Sequence, residues 1–253
     1  LATGVGALAF SAQMCGIVCV DAQGHPLRPA IIWADKRAAG LTRRLIGGFP
    51  EVLGYGAARA ATWLFLANGA PSKNGMDPPG KMLWVAAHEP EVWAATHKVL
   101  DVRDWLVARA TDRMVTTADS ANLTWLMDTR RGREGWSRHL CRMVGIPIER
   151  LPEIVDGGDV VGGLTARAAA ELGLPEGVPV IGGGGDVAAT ALGSGAVEDG
   201  ALHVYAGTSS WVGGFFPDRR VSVRHSYATV ASPLGPRPLL IATQETCGGA
   251  FHW

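Results

Sequence analysis

The sequence predicts an α/β fold, and three observations predict it. The opening segment reads strand, turn, strand; the middle reads as helices; the last third returns to short apolar strands divided by glycine-rich turns.

The elements follow in chain order. Residues 16–21, GIVCVD, form a β-branched strand, Gln23-Gly24 a turn, and 29–33, PAIIW, a second strand, which together predict an antiparallel hairpin. Asp35-Lys36-Arg37 then precede a helix from Ala38 to about Ile46. Lys81 to His88 places Met82, Leu83, Val85 and Ala86 on one side of a helix, and Pro90 opens another. Val99-Leu100 is a short strand ahead of a helix over 101–110. Asp119 or Ser120 is expected to cap a helix reaching Met127, and 136–144 to form one that stops at Gly145. Ala166 to Leu172 is a helix ended by Gly173, and VPVIG at 178–182 is a continuous apolar strand. Four glycines, 182–185, and Asp186 lead into the helix VAATALG. ALHVYAGTSS at 201–210, WVGGFF at 211–216 and LLIATQ at 239–244 complete the strands.

Composition excludes several functions. The 253 residues carry 23 basic and 23 acidic side chains, so no electrostatic footprint favours nucleic acid or an acidic membrane surface. Hydrophobic content of 47% against 18% charged is too apolar for a disordered chain. No run approaches the ~18 apolar residues of a membrane helix. The apolar first ten residues lack the basic flank of a signal peptide. Cys15, Cys19, Cys141 and Cys247 form no CxxC pair, which argues for reduced thiols in a cytoplasmic protein and against a zinc site or disulfide framework. The sequon at Asn122 is then an accident of composition. A first residue that is Leu, and an end at Trp253 within an apolar helical stretch, predict a chain cut at both ends.

Two motifs could carry chemistry. Gly183, Gly185 and Ala188 match G-x-G-x-x-A after a strand, but a dinucleotide site needs an acid about 20 residues on, and Val204 to Gly207 supply none. A dehydrogenase is therefore disfavoured. Asp186 itself reads either as a helix N-cap or as a carboxylate at the mouth of a sheet, where glycines let a ligand approach and a hydroxyl proton can be taken. Gly207-Thr208-Ser209-Ser210 reads either as a hairpin turn or as a phosphate cradle of successive N–H groups and hydroxyls.

GGGGDVAATALGSG followed by HVYAGTSSWVG resembles the FGGY carbohydrate kinases, the xylulokinase-like group in particular. SAQMCGIVCVDAQGHPLRPAIIWADKRA, KMLWVAAHEPEVW, KVLDVRDWLVARATDRMVTTADSANLT and RLPEIVDGGDVVGGLTARAAAELGLPEGVPV continue the resemblance in order along nearly the whole chain. It implies an actin-like ATPase (ribonuclease H-like) domain, with a mixed sheet and flanking helices, truncated at both ends. Residues 1–200 would be the sugar-binding N-terminal domain lacking its first phosphate hairpin, and 201–253 the start of the ATP-binding C-terminal domain. The implied activity is ATP-dependent phosphorylation of a sugar, a ketose such as a pentulose, or of a polyol. ATP and Mg2+ are the implied cofactors, and a homodimer is left open. The alternative is a non-catalytic remnant or sugar-binding domain of such a kinase, the fragment itself being inactive.

By the same resemblance Asp186 is the general base, and Gly207, Thr208 and Ser209 hold ATP phosphates. Gln13, Met14, Cys15, Asp104 and Val187 contact the sugar. Trp33, Asp35 and Arg37 match a motif that serves either sugar contact or an Asp–Arg clamp at a helix start. Two positions depart from the xylulokinase pattern: Cys15 stands in place of His, and Val187 in place of Asn. A thiol is a weak hydrogen-bond donor and valine none, so the identity of the sugar stays open.

Overall fold

A computed structural model of the chain describes residues 4–207, 210–222, 225, 227–244, 247, 248 and 250. Strand β1 (Ser11–Ala12) leads through a turn at Cys15 into β2 (Val18–Val20). The predicted return strand at 29–33 follows β2 antiparallel but only through isolated bridges, Val20 with Pro26 and Ile17 with Ile31. Pro26 and Pro29 have no N–H to donate, so a continuous ladder cannot form there. Helix α1 (Ala39–Ile46) comes next, then a small hairpin of β3 (Glu51–Val52) and β4 (Tyr55–Gly56).

Helix α2 (Ala57–Ala67) is an element the sequence reading does not anticipate. It has no side-chain N-cap and no acidic first turn, and it ends on Asn68 in the left-handed region at φ 61° rather than on glycine. Helix α3 (Pro78–His88) begins three residues before the expected start, because Pro78 and Pro79 occupy positions where an N–H has no helical partner. Helix α4 (Pro90–Ala95) and β5 (Lys98–Leu100) follow as expected, and β5 is the ladder partner of β2. Helix α5 (Val102–Thr111) opens on a capping box: the Asp101 carboxylate accepts from Val102 N–H at 2.7 Å, and Asp104 accepts from Asp101 N–H at 3.1 Å.

Strand β6 (Val115–Thr117) enters α6 (Ala118–Leu123) directly. This corrects the expected cap. Thr117 is the N-cap, Asp119 lies inside the first turn, and the helix ends before β7 (Met127–Asp128). Strand β8 (Gly135–Trp136) takes Trp136 out of α7 (Arg138–Val144), which Ser137 caps by accepting from Leu140 N–H. A 3-10 turn over Ile148–Arg150 leads to β9 (Glu153–Val155), parallel to β6, and to β10 (Val160–Gly163). Helix α8 (Ala166–Leu172) stops at Gly173 with φ 66°. Strand β11 (Pro179–Ile181) pairs antiparallel with β10, and β12 (Gly184–Gly185) pairs parallel with β1, Ser11 opposite Gly184 and Ala12 opposite Gly185.

Helix α9 (Asp186–Gly193) follows β12 without a linker. A five-stranded antiparallel sheet closes the described chain: β13 (His203–Ala206), β14 (Ser210–Phe215), β15 (Val221–Ser222), β16 (Tyr227–Val230) and β17 (Leu239–Gln244), in the order β13-β14-β17-β16-β15. Its Phe215, Val230 and Leu239 pack on Ala188 and Ala191 of α9. The largest core gathers α1, α2, α3 and α7 around Trp63, which is fully buried and donates its indole N–H to the Trp125 carbonyl at 3.1 Å.

Asn122, the sequon residue, is wholly buried. Its amide donates to the Ala67 carbonyl at 3.1 Å and accepts from Ala231 N–H at 2.8 Å, so it ties α2 to the segment after β16. Asn122→Ala strands both backbone groups in the interior. It is expected to lower the unfolding free energy by about 1–3 kcal/mol, read as a fall in the urea midpoint; an unchanged midpoint would show that the tie carries no stability.

Candidate functional site

The site is built where two parallel strands end side by side. Strand β1 delivers Gln13, Met14 and Cys15, and β12 delivers Asp186. In open α/β sheets ligands bind at the carboxyl ends of strands, where loop backbone and side chains converge. Two glycines permit the approach. Gly183 sits at φ 72°, and a Cβ there would collide with the Phe10 carbonyl; a Cβ on Gly185 would collide with the Met14 thioether. Met14 is therefore packed directly on the residue that precedes Asp186.

Asp186 is the first residue of α9, Gly185 being its N-cap. This corrects the N-cap reading: Asp186 lies inside the first turn, where its carboxylate accepts from Val187 N–H at 2.9 Å, and the group is still partly exposed. Burial raises its proton affinity above the ordinary aspartate range. The negative charge of Asp119 pushes the same way, and the backbone N–H groups of Val187 and Asp186 pull back. Cys15, at φ 62°, is near enough that the Asp186 charge adds to the burial that holds its thiol well above the usual value. It is a neutral, weak donor. Gln13 is half-buried, and Val187 turns its side chain toward the Ala188, Ala191 and Phe215 cluster.

Asp104 is placed otherwise than expected. Only 1% exposed, it accepts from Arg103 Nη2 at 2.6 Å and from Asp101 N–H, so it serves the buried scaffold instead of facing a ligand. Asp35 and Arg37 form the clamp, with a 2.7 Å ion pair and the Arg37 guanidinium 4.8 Å over Trp84, which holds the Asp35 carboxyl below its ordinary range. Trp33 is left 42% exposed. The Gly207 carbonyl accepts from Gly248 N–H at 2.7 Å, and Ala206 at the end of β13 pairs with Ser210 at the start of β14. Thr208 and Ser209 lie outside the described residues.

Four buried charged residues hold this site, and none was assigned that task from the sequence. Lys81 is wholly buried in α3 and donates to the carbonyls of Cys15 at 2.7 Å, Ile32 at 2.8 Å and Trp33 at 3.4 Å. Asp101 accepts from Gly16 N–H at 3.2 Å. Arg103 donates to the Gly182 carbonyl and, at 3.3 Å, to Ser120. Asp119 accepts from Gly185 N–H at 2.8 Å and from the Thr117 hydroxyl. The available signal was charge in apolar company: Lys81 beside Met82, Leu83 and Val85, and Arg103-Asp104 on a helix whose Val107, Ala108 and Ala110 are core.

This is a mixed α/β fold with a candidate site at two strand ends, built around one carboxylate. Comparison with known proteins specifies it further. The profile of the FGGY family of carbohydrate kinases, N-terminal domain, matches residues 2–193. The xylulose kinase of Escherichia coli strain K12 is 34% identical over 206 residues, 81% of this chain and 39% of that protein. That of Bacillus subtilis strain 168 is 32% identical over 205 residues, 81% of this chain and 38% of that protein. The crystal structure of a xyloylose kinase from Brucella ovis superposes with a TM-score of 0.82 at 25% identity, covering 98% of this chain and 49% of that one. Glycerol kinase from Plasmodium falciparum shares the fold, with a TM-score of 0.80 at 18% identity, covering 96% of this chain and 47% of that one. The chain belongs to the FGGY family of carbohydrate kinases. It spans about two fifths of the length of the curated relatives it matches.

Lys81→Met keeps most of the stem and removes the ammonium, which leaves three partly buried carbonyls without their donor. The expected loss is about 1.5–3 kcal/mol of unfolding free energy, measured by thermal or urea unfolding. A loss within 0.5 kcal/mol (about the level of ordinary surface substitutions) would show that the carbonyls find other partners.

Proposed function

We propose that the chain supplies the sugar site and the catalytic base of an enzyme that transfers the terminal phosphoryl group of ATP to a hydroxyl of a ketose or polyol. The observation that carries this reading is the placement of Asp186 beside Met14 and Cys15 at the ends of paired parallel strands. Family membership and the names of the relatives, xylulose kinases, support a pentulose as the substrate class.

Phosphoryl transfer needs positioning and charge neutralisation more than covalent chemistry. The sugar would lie against Met14 and Cys15, with Trp33 exposed for an apolar face of the ring or chain. Asp186 would accept a hydrogen bond from the reacting hydroxyl, align it and take its proton as the new P–O bond forms. Its raised proton affinity makes it a stronger base than an ordinary aspartate, and the same shift sets its working range. Activity needs the ionised form, so the acid limb of the rate profile should lie above the pH at which an ordinary carboxylate titrates.

Gly207, Thr208 and Ser209 would turn backbone N–H groups and hydroxyls toward the ATP phosphates. Mg2+ would be held chiefly by those phosphates, since it keeps most of its waters and takes few protein carboxylates. Bound there, it would supply positive charge to offset the charge of the transferring group. We place the division between the sugar-binding and ATP-binding parts near residue 200, between α9 and β13. The four free cysteines fit a cytoplasmic setting, and among the described residues no helix is long and apolar enough to cross a membrane.

Asp186→Asn in the whole protein should cut sugar phosphorylation roughly 10²–10⁴-fold, with stability changed by less than about 1 kcal/mol because the Asn oxygen can still accept from Val187 N–H. Initial rates with a ketopentose and ATP, together with a melting curve, check both. An unchanged rate with a lowered melting temperature would make Asp186 a first-turn acceptor of the helix alone. Sugar binding without phosphorylation in the unmutated protein would favour a non-catalytic sugar-binding role.

A second expectation concerns which sugar is preferred. A site that has lost hydrogen-bonding groups binds the original hydroxyls less well, each bond being worth about 0.5–1.5 kcal/mol. With a neutral thiol at 15 and an alkyl group at 187, D-xylulose should be a poorer substrate than another ketose or a polyol. A kcat/KM screen over pentuloses, hexuloses and polyols checks this; D-xylulose leading by a wide margin would contradict it.

A further inference from the structure

We propose that Asp119 is a positioning residue for Asp186: from the first turn of α6 it clamps the Gly185 amide and stands its own unpaired charge behind the candidate base. The part of this statement that makes Asp186 a base rests on the function proposed above; the clamp does not.

The geometry is specific. Asp119 is wholly buried, and its two oxygens are committed to different groups, Oδ1 to the Thr117 hydroxyl and Oδ2 to Gly185 N–H at 2.8 Å. Gly185 is the N-cap of α9 and the last residue of β12, so its amide fixes the plane from which Asp186 departs. Gly185 also carries no side chain of its own, and Met14 fills the space where a Cβ would be. The backbone at 185 is therefore held on one face by Met14 and at its N–H by Asp119. Without the carboxylate that amide would be buried and unpaired, a cost large enough to move the strand end.

Both partners of Asp119 are neutral, and among the described residues no cation forms an ion pair with it. The nearby Arg103 is engaged with Asp104 and Ser120. The charge on Asp119 is thus left to act on its surroundings, and Asp186 is one group that registers it. The groups that face Asp186 are Asp119 from α6 and Cys15 from the loop after β1. Lys81, Asp77 and Asp101 stand around Cys15 in turn. With Cys15 neutral, Asp119 is, among the described residues, the charge that adds to burial in opposing ionisation of Asp186.

The test needs no turnover and uses this chain. The carbon-13 resonance of the Asp186 carboxyl is followed against pH, and hydrogen exchange of the Gly185 amide is measured, in the unmutated protein, Asp119→Asn and Asp119→Ala. Asparagine keeps an acceptor for Gly185 N–H and can turn its amide nitrogen to the Thr117 oxygen, but it removes the charge. The Asn variant should move the Asp186 midpoint to lower pH while the Gly185 amide stays protected. The Ala variant should also lower the midpoint and speed Gly185 exchange roughly 10–100-fold, the loss of one charge-assisted bond. A purely structural role would lower the melting temperature and speed exchange throughout α6 and α9 without moving the midpoint, and that result overturns the proposal. So does a Gly185 amide that exchanges at the same rate in all three proteins. Should the Ala variant fail to fold, the Asn variant alone decides through the midpoint. If both readouts behave as expected in a chain whose whole protein phosphorylates no sugar, the function fails and the clamp stands.

Discussion

The parallel pairing of Ser11 with Gly184 and of Ala12 with Gly185 is the contact on which the candidate site depends. It sets two strand ends level, so that the residues leaving β1 and the residue leaving β12 face a common space. Neither loop carries the site alone. Gln13-Met14-Cys15 has no strong acid or base, and Asp186 has no sugar-sized surface. The register joins them, and it depends on glycine: Gly185 leaves room for Met14, and Gly183 takes a backbone angle that a side chain would strain.

Around that contact the protein buries charge where most domains bury only apolar groups. Lys81, Asp101, Arg103 and Asp119 are each spent on backbone atoms of the site loops, at Cys15, Gly16, Gly182 and Gly185 respectively. Burial pushes the Lys81 ammonium down and the Asp101 carboxyl up, the latter to about 7, so neither group is stabilised in its charged form by water. Their return is geometric. Loops are the mobile part of most folds, and here each is held by a hydrogen bond from a buried polar side chain on, or at the start of, a core helix. A site that held a small sugar for in-line transfer, as proposed, would need that rigidity.

Much of this was legible in the sequence, for identifiable reasons. Pro90, Gly145 and Gly173 punctuate helices by backbone chemistry alone, and each element end they predict is observed. Asp186 stands out because it follows the apolar strand at 178–182 and four glycines. Gln13, Met14 and Cys15 are reached only through the family resemblance, since β1 is two residues, Ser11–Ala12, with no β-branched run. The segment at 57–67 was missed because its helix has neither a capping side chain nor a glycine stop. The role of Asp119 was missed because a first-turn aspartate looks the same whether it serves its own helix or an amide 66 residues away. Asp104 was read outward for a similar reason: a charged residue on a helix gives no sign of facing in until its partner Arg103 and the capped turn are seen. Tertiary hydrogen bonds of this kind leave no periodicity behind.

The account stands or falls on whether the two strand ends form one sugar site. A titration of the protein with D-xylulose or another ketose, followed at once through the Met14 methyl resonance and the Asp186 carboxyl resonance, measures this directly. The account predicts that both move together along a single binding curve, with one dissociation constant. Movement of one resonance while the other stays fixed at saturating sugar would show that Met14 and Asp186 do not share a ligand, and would contradict it.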